Sequence, residues 1–505
     1  MTNKPTIYVA SAGTGKTTAL MDELNEALKE TTPDTVVFTT FTNAGAAEAA
    51  TRAREKFPTY NDHQFRYFRT LHSLSYRNIP QRKMISFSDF LVLNKELGLN
   101  INPARAVSQG YITMAPNKGD KLLQIDNLRR SRMWTYDEAF KNQESSDFAA
   151  CEIQDFSEAY TTWKKNNRVY DFTDQLEVFL SVIDDWDPKI THLFVDECQD
   201  LSTLQWAIVN KIQAKATYTI IAGDDKQSIY KFSGGDPDAL INLVGDRKIL
   251  TKSYRLPETL LAYAENIADR ITNKQEYTVT PNKTGGEIEY VGEITEIEEQ
   301  LKKGTWFLLA RNRKYLAYYE HQLNRLGIVY ESDTGNGAFS PELAECVIGW
   351  ADMLDGFDIS VKLVKRVYSK YLKGPSVAYG FKKVVARLDD QEYVDKATLT
   401  GEYGLQNLKP WHESFSLPES LIEPLKHMEA TGELKHRPRI RIATIHSVKG
   451  KEADNVLLLP DMTSLTHNSY NKDADSEHRV FYVGATRARK HLYLHKPLTD
   501  MFYPL

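Results

Sequence analysis

An apolar, β-rich run, Thr6–Ala10, ends in Ser11-Ala12-Gly13-Thr14-Gly15-Lys16-Thr17-Thr18 and passes directly into a helical stretch over Thr17–Lys29. This is a variant of the phosphate-loop pattern G-x-x-x-x-G-K-[ST], with Ala10 at its first glycine position. Few local patterns constrain a fold as strongly. The glycines let backbone N–H groups converge on phosphate oxygens, and the helix N-terminus adds its dipole. Ser11, Ala12, Gly13, Thr14, Gly15 and Thr18 line the loop, Lys16 is placed for the β- and γ-phosphates, and the Thr17 hydroxyl for a divalent cation. A strand–loop–helix of this kind belongs to an open, doubly wound α/β sheet, with the loop at the C-terminal end of its strand.

Such a loop needs an acidic partner. Leu193-Phe194-Val195-Asp196-Glu197-Cys198-Gln199-Asp200 carries an apolar strand into two carboxylates at its C-terminal end. Asp196 is the expected cation ligand, and Glu197 is placed to activate a water in line with a γ-phosphate. Alone, the pair reads better as a solvated turn or a helix cap; beside the phosphate loop it does not. Cys198 reads as packing.

Strand signals fall in two groups. Thr6–Ala10, Val36–Thr40, Tyr67–Thr70, His192–Asp196 and Tyr218–Ala222 form the first. Glu287–Val291, Trp306–Ala310, Ile328–Glu331, Ile440–Ile445, Asn455–Leu459 and Leu492–His495 form the second. Their alternation with helical stretches predicts two α/β domains. Two mainly helical, charged stretches, from about Leu74 to Asn167 and from about Phe357 to Lys435, read as insertions; Ile359–Leu372 and Pro418–Glu429 are expected helices in the second. Lys+Arg 63 against Asp+Glu 68 leaves a net charge of −5, which does not exclude nucleic acid, because a local basic groove decides that. No apolar run approaches the ~20 residues of a membrane span, the start is not a signal peptide, and three scattered cysteines exclude a disulfide framework. A cytoplasmic, reducing setting is expected.

The motifs continue in order. Gly223-Asp224-Asp225-Lys226-Gln227-Ser228-Ile229-Tyr230-Lys231-Phe232-Ser233-Gly234-Gly235, Ser253-Tyr254-Arg255, Thr444-Ile445-His446-Ser447-Val448-Lys449-Gly450-Lys451-Glu452 and Tyr482-Val483-Gly484-Ala485-Thr486-Arg487-Ala488-Arg489 follow the acidic pair. Thr40-Phe41-Thr42-Asn43 and Thr70-Leu71-His72-Ser73 precede it, and Asp171-Phe172-Thr173-Asp174-Gln175-Leu176 leads back from the first insertion. Together they resemble the motif set of UvrD/Rep-like superfamily 1 DNA helicases, and the resemblance covers nearly the whole chain.

That resemblance implies two RecA-like (P-loop NTPase) domains, each with a mainly helical insertion, and ATP with Mg²⁺ held between the domains. Residues 1–73 and 168–249 would form the first core domain around an accessory insertion at 74–167. Residues 250–356 and 436–505 would form the second, around a small insertion at 357–435, which is short for the family. It further implies that Gln227 senses the γ-phosphate, that Arg255 and Arg487 reach it from the second domain, that Tyr254 stacks on the adenine and that Glu452 bonds the ribose. A lone arginine is otherwise a surface salt bridge, and an aromatic beside a nucleotide site is otherwise core.

On the DNA side, Phe41, Tyr230 and Phe232 are candidates to stack on bases, and Thr70, His72, Arg311, Arg313 and His446 to contact phosphate or base. Core packing for Phe41 and satisfied buried imidazoles for His72 and His446 are the alternatives. The family usually has Trp at Phe232. It also carries a glutamine segment upstream of the phosphate loop, whereas only nine residues precede Ala10 and none is Gln; looser discrimination among purine triphosphates is the expectation. The implied activity is ATP-driven 3′→5′ translocation on single-stranded DNA with unwinding of duplex DNA in replication, recombination or repair. Single-stranded DNA and single-strand/duplex junctions are the implied partners, and protein partners stay open. A translocase that strips bound proteins without much unwinding, and a nucleotide-dependent binding switch that does not step, are the competing readings. A helicase–nuclease does not fit a chain ending soon after Arg489.

Overall fold

In the computed structural model, which describes residues 4–505 except 62, 81–82, 108–116, 144–146, 187, 327, 335–340, 391, 433 and 435–437, two six-stranded sheets are the framework. The chain divides into two compact units, 1–285 with 468–486 and 286–467 with 487–505.

In the first unit, β1 (Thr6–Val9), β2 (Val36–Thr39), β3 (Phe68–Arg69), β4 (His192–Val195), β5 (Tyr218–Gly223) and β6 (Asp246–Ile249) pair in the order β3-β2-β4-β5-β1-β6, all parallel. Both faces of β2 and β4 are buried, as the apolar runs require of a central parallel strand. Below them lie Leu71, Leu74, Phe179, Ile208 and Ile212, and above them Leu20, Leu24, Ala49 and Ala53. The edge strand β6 escapes the sequence reading because all four residues are exposed and three are charged. The first insertion has its own core, with Phe90 and Leu93 from helix Phe87–Leu97, Leu122 and Leu123 from helix Lys118–Arg132, and Phe156, Tyr160 and Trp163 from helix Ala150–Asn167.

In the second unit, β7 (Glu287–Val291), β8 (Trp306–Ala310) and β9 (Glu331–Ser332) precede a two-stranded antiparallel pair, β10 (Ile359–Ser360) with β11 (Tyr393–Val394). β12 (Ile440–Thr444), β13 (Ala453–Leu459) and β14 (Ala488–His495) complete a parallel sheet of order β7-β14-β13-β8-β12-β9.

The packing divides the chain differently from the expected boundaries. Residues 250–285 belong with the first sheet, not the second. Helix Pro341–Leu354 buries Val347, Trp350 and Met353 in one cluster with Val361, Tyr368, Trp411 and Phe415, so the core of the second insertion begins before 357. The expected helix over Ile359–Leu372 opens as β10, continues as Val361–Arg366 and finishes in a wider π turn, Val367–Tyr371. The expected boundary at 435–436 lies outside the described residues. Among the described residues, no helix is long and apolar enough to cross a membrane. Cys151, Cys198 and Cys346 are free.

Candidate nucleotide site and aromatic file

β1 hands the chain to the phosphate loop at the C-terminal edge of the first sheet, where parallel sheets bind ligands. Gly13 and Gly15 take left-handed φ values of 73° and 82°, which glycine adopts without the steric cost other residues bear. Gly15 caps helix Lys16–Ala27, whose Leu20, Met21, Leu24 and Ala27 are buried. The Thr14 hydroxyl donates to the Ser11 carbonyl at 2.9 Å, closing the loop from within.

One strand, β5, separates β1 from β4, so Asp196 and Glu197 emerge beside Lys16 and Thr17. Lys16 Nζ lies 2.7 Å from Glu197 Oε1. The Thr17 hydroxyl donates to Asp196 Oδ2 at 3.3 Å, and the Glu197 N–H donates to Asp196 Oδ1 at 2.8 Å. Glu197 itself is left-handed, with φ 54°. A non-glycine residue held there costs on the order of 1–2 kcal/mol, and such strain concentrates at working sites. Gln199 Nε2 donates to Glu197 Oε2 at 2.5 Å, and its Oε1 accepts from the Asp224 N–H at 3.0 Å. The Gln227 amide in turn donates to Asp224.

The electrostatics are those of a crowded acidic pocket around one lysine. Burial pushes Lys16 down, but Glu197, Asp196 and Asp224 outweigh it and hold the ammonium well above its ordinary value. Burial, with Glu197 adding and Lys16 opposing, raises Asp196 to about 6. Burial and the neighbouring Asp225 raise Asp224 to about 7. Thr17 and Asp196 offer hard oxygen donors, and a divalent cation would relieve the cost of the buried Asp196 carboxylate. The donor set therefore fits Mg²⁺.

Residues distant in sequence close the loop from above. Ser253 Oγ donates to the Ala12 carbonyl at 2.9 Å and the Tyr254 N–H to the Gly13 carbonyl at 2.7 Å. A Cβ on Gly13 would lie 2.4 Å from Arg255 Cβ, so only glycine admits this approach. The Tyr254 ring stands 3.7 Å from where a Gly15 Cβ would be and is 61% exposed, an open platform beside the loop rather than core. Arg255 Nη1 reaches the Thr486 carbonyl at 3.5 Å. Arg255, expected on the second domain, thus sits in the same unit as the loop, because residues 250–285 fold back onto the first sheet.

Sequence reasoning missed several partners. The Tyr482 hydroxyl bonds Ser11 Oγ at 2.7 Å and accepts from the Ala12 N–H at 3.4 Å. The Tyr277 hydroxyl donates to the Ala10 carbonyl at 2.6 Å. Arg479 donates to the carbonyls of Asp225 (2.9 Å) and Asn273 (2.6 Å). Tyr482 stood inside a quoted motif, and Arg479 three residues before it; Tyr277 has no sequence signal.

In the same unit, Phe41, Tyr230 and Phe232 come together. Phe41 stacks on Tyr230 with centroids 4.9 Å apart, and Tyr230 lies 6.1 Å from Phe232. Phe41 also packs partly against the core. Thr70 caps helix Leu71–Asn78, accepting from the Ser73 N–H, and its hydroxyl donates to Asn43 at 3.4 Å. His72 meets the Phe172 ring edge-on, and burial lowers its imidazole to about 4, keeping it neutral.

The remaining candidates lie in the second unit. Arg311 and Arg313 follow the C-terminal end of β8 and His446 that of β12. Arg313 donates to the Asp333 and Thr334 carbonyls at 2.8 and 3.0 Å. Asp333 also pairs with Arg441 at 2.8 Å and accepts from Ser447, next to His446. Glu452 is exposed and 3.4 Å from Arg489. Arg487 is buried and donates to the Lys451 carbonyl at 3.1 Å.

Comparison with known proteins agrees with this layout. The UvrD/REP helicase N-terminal domain family matches residues 1–248, and the UvrD-like helicase C-terminal domain family matches residues 409–497. The ATP-dependent DNA helicase Rep of Buchnera aphidicola is 22% identical over 98% of this chain and 92% of its own length. The Bacillus subtilis protein YjcD is 22% identical over 98% of this chain and 77% of its own. The ATP-dependent DNA helicase PcrA of Staphylococcus epidermidis is 25% identical over 59% of this chain and 42% of its own.

Proposed function

The chain belongs to the UvrD/Rep-like family of superfamily 1 helicases, and we propose that it hydrolyses ATP to step 3′→5′ along single-stranded DNA and separate the duplex at single-strand/duplex junctions, in replication, recombination or repair. The observation that carries this reading is one continuous segment. It starts at Asp224 and Gln227, bonded to the carboxylate site through Gln199, and ends eight residues after Asp224, at Phe232 on the turn that also carries Tyr230. A change at the nucleotide therefore has a short covalent path to the aromatic file.

The roles follow from the chemistry. Lys16 leaves Glu197 for the phosphates, and the N–H groups of the 11–18 loop hold them. Glu197, released, takes a proton from the attacking water as that water bonds the γ-phosphorus and the bond to the ADP oxygen breaks. Gln227, Arg255 and Arg487 are the groups that match the charge spread over the γ-phosphoryl oxygens. Thr17 and Asp196 would hold Mg²⁺, which would supply charge neutralisation to the phosphates. Tyr254 is proposed to stack on the adenine and Glu452 to bond the ribose. Phe41, Tyr230 and Phe232 stack on bases, which is sequence-tolerant because every base has a π-face. Thr70, His72, Arg311, Arg313 and His446 take phosphate or base edges. The two parallel sheets are read as two RecA-like core domains, with 74–167 and a second helical insertion whose core begins with helix Pro341–Leu354 as accessory elements, working in the cytoplasm.

Strand displacement on a partial duplex with a 3′ tail, beside one with a 5′ tail, tests this with ATP and Mg²⁺ present. Unwinding from the 3′ tail alone is the expected result. DNA-stimulated ATPase with no unwinding from either tail would replace the helicase reading with that of a translocase.

A further inference from the structure

The turn that carries the aromatic file meets the core at its C-terminal end, where Gly235 pairs in an antiparallel bridge with Ser202 and the Asp236 N–H donates to the Leu201 carbonyl at 3.1 Å. Its short helical piece, Lys231–Ser233, buries none of its residues. The Tyr230 carbonyl accepts from the N–H groups of both Ser233 and Gly235 at 3.0 Å, which closes the turn on itself. A short exposed piece of this kind takes its position from such contacts at its ends.

A second brace comes from the first insertion. Helix Lys118–Arg132 ends in Arg130-Ser131-Arg132 and stops at Met133, which is left-handed at φ 55°. Arg130 is buried and forks onto Asp171 at 2.8 Å, Glu177 at 2.6 Å and Asp174. Lys164, also buried, meets Asp171 at 2.5 Å and Asp174 at 2.7 Å. Asp171 and Asp174 form the capping box of helix Phe172–Val182, so the end of the insertion helix is bolted to the core domain. A guanidinium fork in such a site fixes direction as well as distance.

The next two residues face the turn. Ser131 packs on Gly234, where a Cβ would lie 2.9 Å from that of Ser131, and Gly234 has φ 98°. Arg132 donates to the Gly235 carbonyl and lies 3.5 Å from the Asp236 carboxylate, with its side chain only 12% exposed. Its reach is spent on the turn, not on solvent.

We infer that Arg132 is a positioning residue for single-stranded DNA: it holds Gly235, with Arg130 as its anchor and Ser131 as its spacer, so that Tyr230 and Phe232 present their rings to bases. The inference rests on the reading of Phe41, Tyr230 and Phe232 as the base-stacking file. It gives the helical insertion a task inside the motor, that of setting the grip on the strand.

The test is binding of a fluorescein-labelled oligo(dT) to the full chain, with Arg132→Ala, Arg132→Lys, Phe232→Ala and the Arg132→Ala/Phe232→Ala double variant. Stacking on one aromatic corresponds to roughly 5- to 150-fold in affinity, so Phe232→Ala should weaken binding at least fivefold. Arg132→Ala should weaken it by about five- to tenfold. The double variant should fall within about twofold of the weaker single variant, because both remove the same stack. In ATPase assays the DNA concentration for half-maximal stimulation should rise for Arg132→Ala while the rate at saturating DNA holds. Arg132→Lys, which can reach one carbonyl but lacks the fork, should recover part of the loss. If Arg132→Ala fails to fold, Arg132→Lys alone and combined with Phe232→Ala carries the same comparison. Losses that multiply in the double variant would overturn the inference, since Arg132 would then act apart from the rings. Normal binding by the Arg132 variants beside weakened Phe232→Ala would overturn the inference and leave the aromatic file standing. Normal binding by Phe232→Ala would overturn both.

Discussion

Replacing Glu197 by Gln should do two opposite things at once: abolish turnover and tighten ATP. The first follows from the loss of the base, since general base catalysis contributes about 10²–10⁴-fold. The second follows from the ion pair. Lys16 Nζ and Glu197 Oε1 are 2.7 Å apart, with side chains 11% and 28% exposed. A hydrogen bond to a charged group contributes about 1.5–3 kcal/mol net. Lys16 must give up this bond before it can serve phosphate. Glutamine is isosteric and keeps a weaker dipolar contact, so the substitution removes about 1–2 kcal/mol from the cost of that exchange, or roughly five- to thirtyfold in dissociation constant. It also takes one negative charge from the three carboxylates that face Lys16. Equilibrium titration with a fluorescent ATP analogue and Mg²⁺ reads the affinity, and single-turnover phosphate release reads the chemistry. An unchanged or weaker affinity would refute the competition between Glu197 and phosphate for Lys16. A phosphate-release rate within tenfold of the native chain would remove Glu197 from the role of base.

Asp224 should make the nucleotide-free protein sensitive to pH in an unusual direction. Burial and Asp225 raise its carboxyl to about 7 from an ordinary 3.8, so between about pH 4 and pH 7 the folded chain keeps a proton the unfolded chain has released. Stability from this group therefore falls as pH rises through that window and levels off above it. The melting temperature should drop between pH 5 and pH 8, and by less in Asp224→Asn; an equal drop in both would refute the assignment. Arg130→Met should cost up to about 3–5 kcal/mol in urea unfolding, because it removes one of the two cations that meet the buried Asp171 and the half-buried Asp174. Lys231→Met, opposite Asp473 in an exposed pair, should cost no more than about 1 kcal/mol.

What could be read from the sequence was whatever is local. Most strands of both sheets announce themselves through short runs rich in apolar residues, and the phosphate loop and Asp196-Glu197 through spacing that strand–turn–helix geometry satisfies. β6 gave no signal because Asp246, Arg247 and Lys248 are charged and face water on an edge, where burial imposes no pattern. Arg255 was placed on the wrong side of the chain's division because nothing in its neighbours records that residues 250–285 fold back to the first sheet. The Tyr277 and Tyr482 hydroxyls reach loop atoms more than 260 positions away; such bonds are consequences of packing, and propensity and periodicity do not encode them. The Arg130 cluster was half legible: the Asp171–Asp174 pair stood out as a motif, while the cations that fill it come from two other helices.

The borders of both sheets have a bearing on how densely this protein can work. Each sheet has one edge strand of only two residues, β3 and β9, and one that is studded with charge. β6 offers Asp246, Arg247 and Lys248, with Asp246 tied to Lys4 and Lys248 to Glu23, and β7 offers Glu287 and Glu289. A passing extended segment finds either too few free amides to zip onto or side chains that resist losing their water. Many copies crowded on one stretch of DNA can therefore jostle without their sheets fusing, and aggregation has to start from an unfolded chain rather than from the native rim.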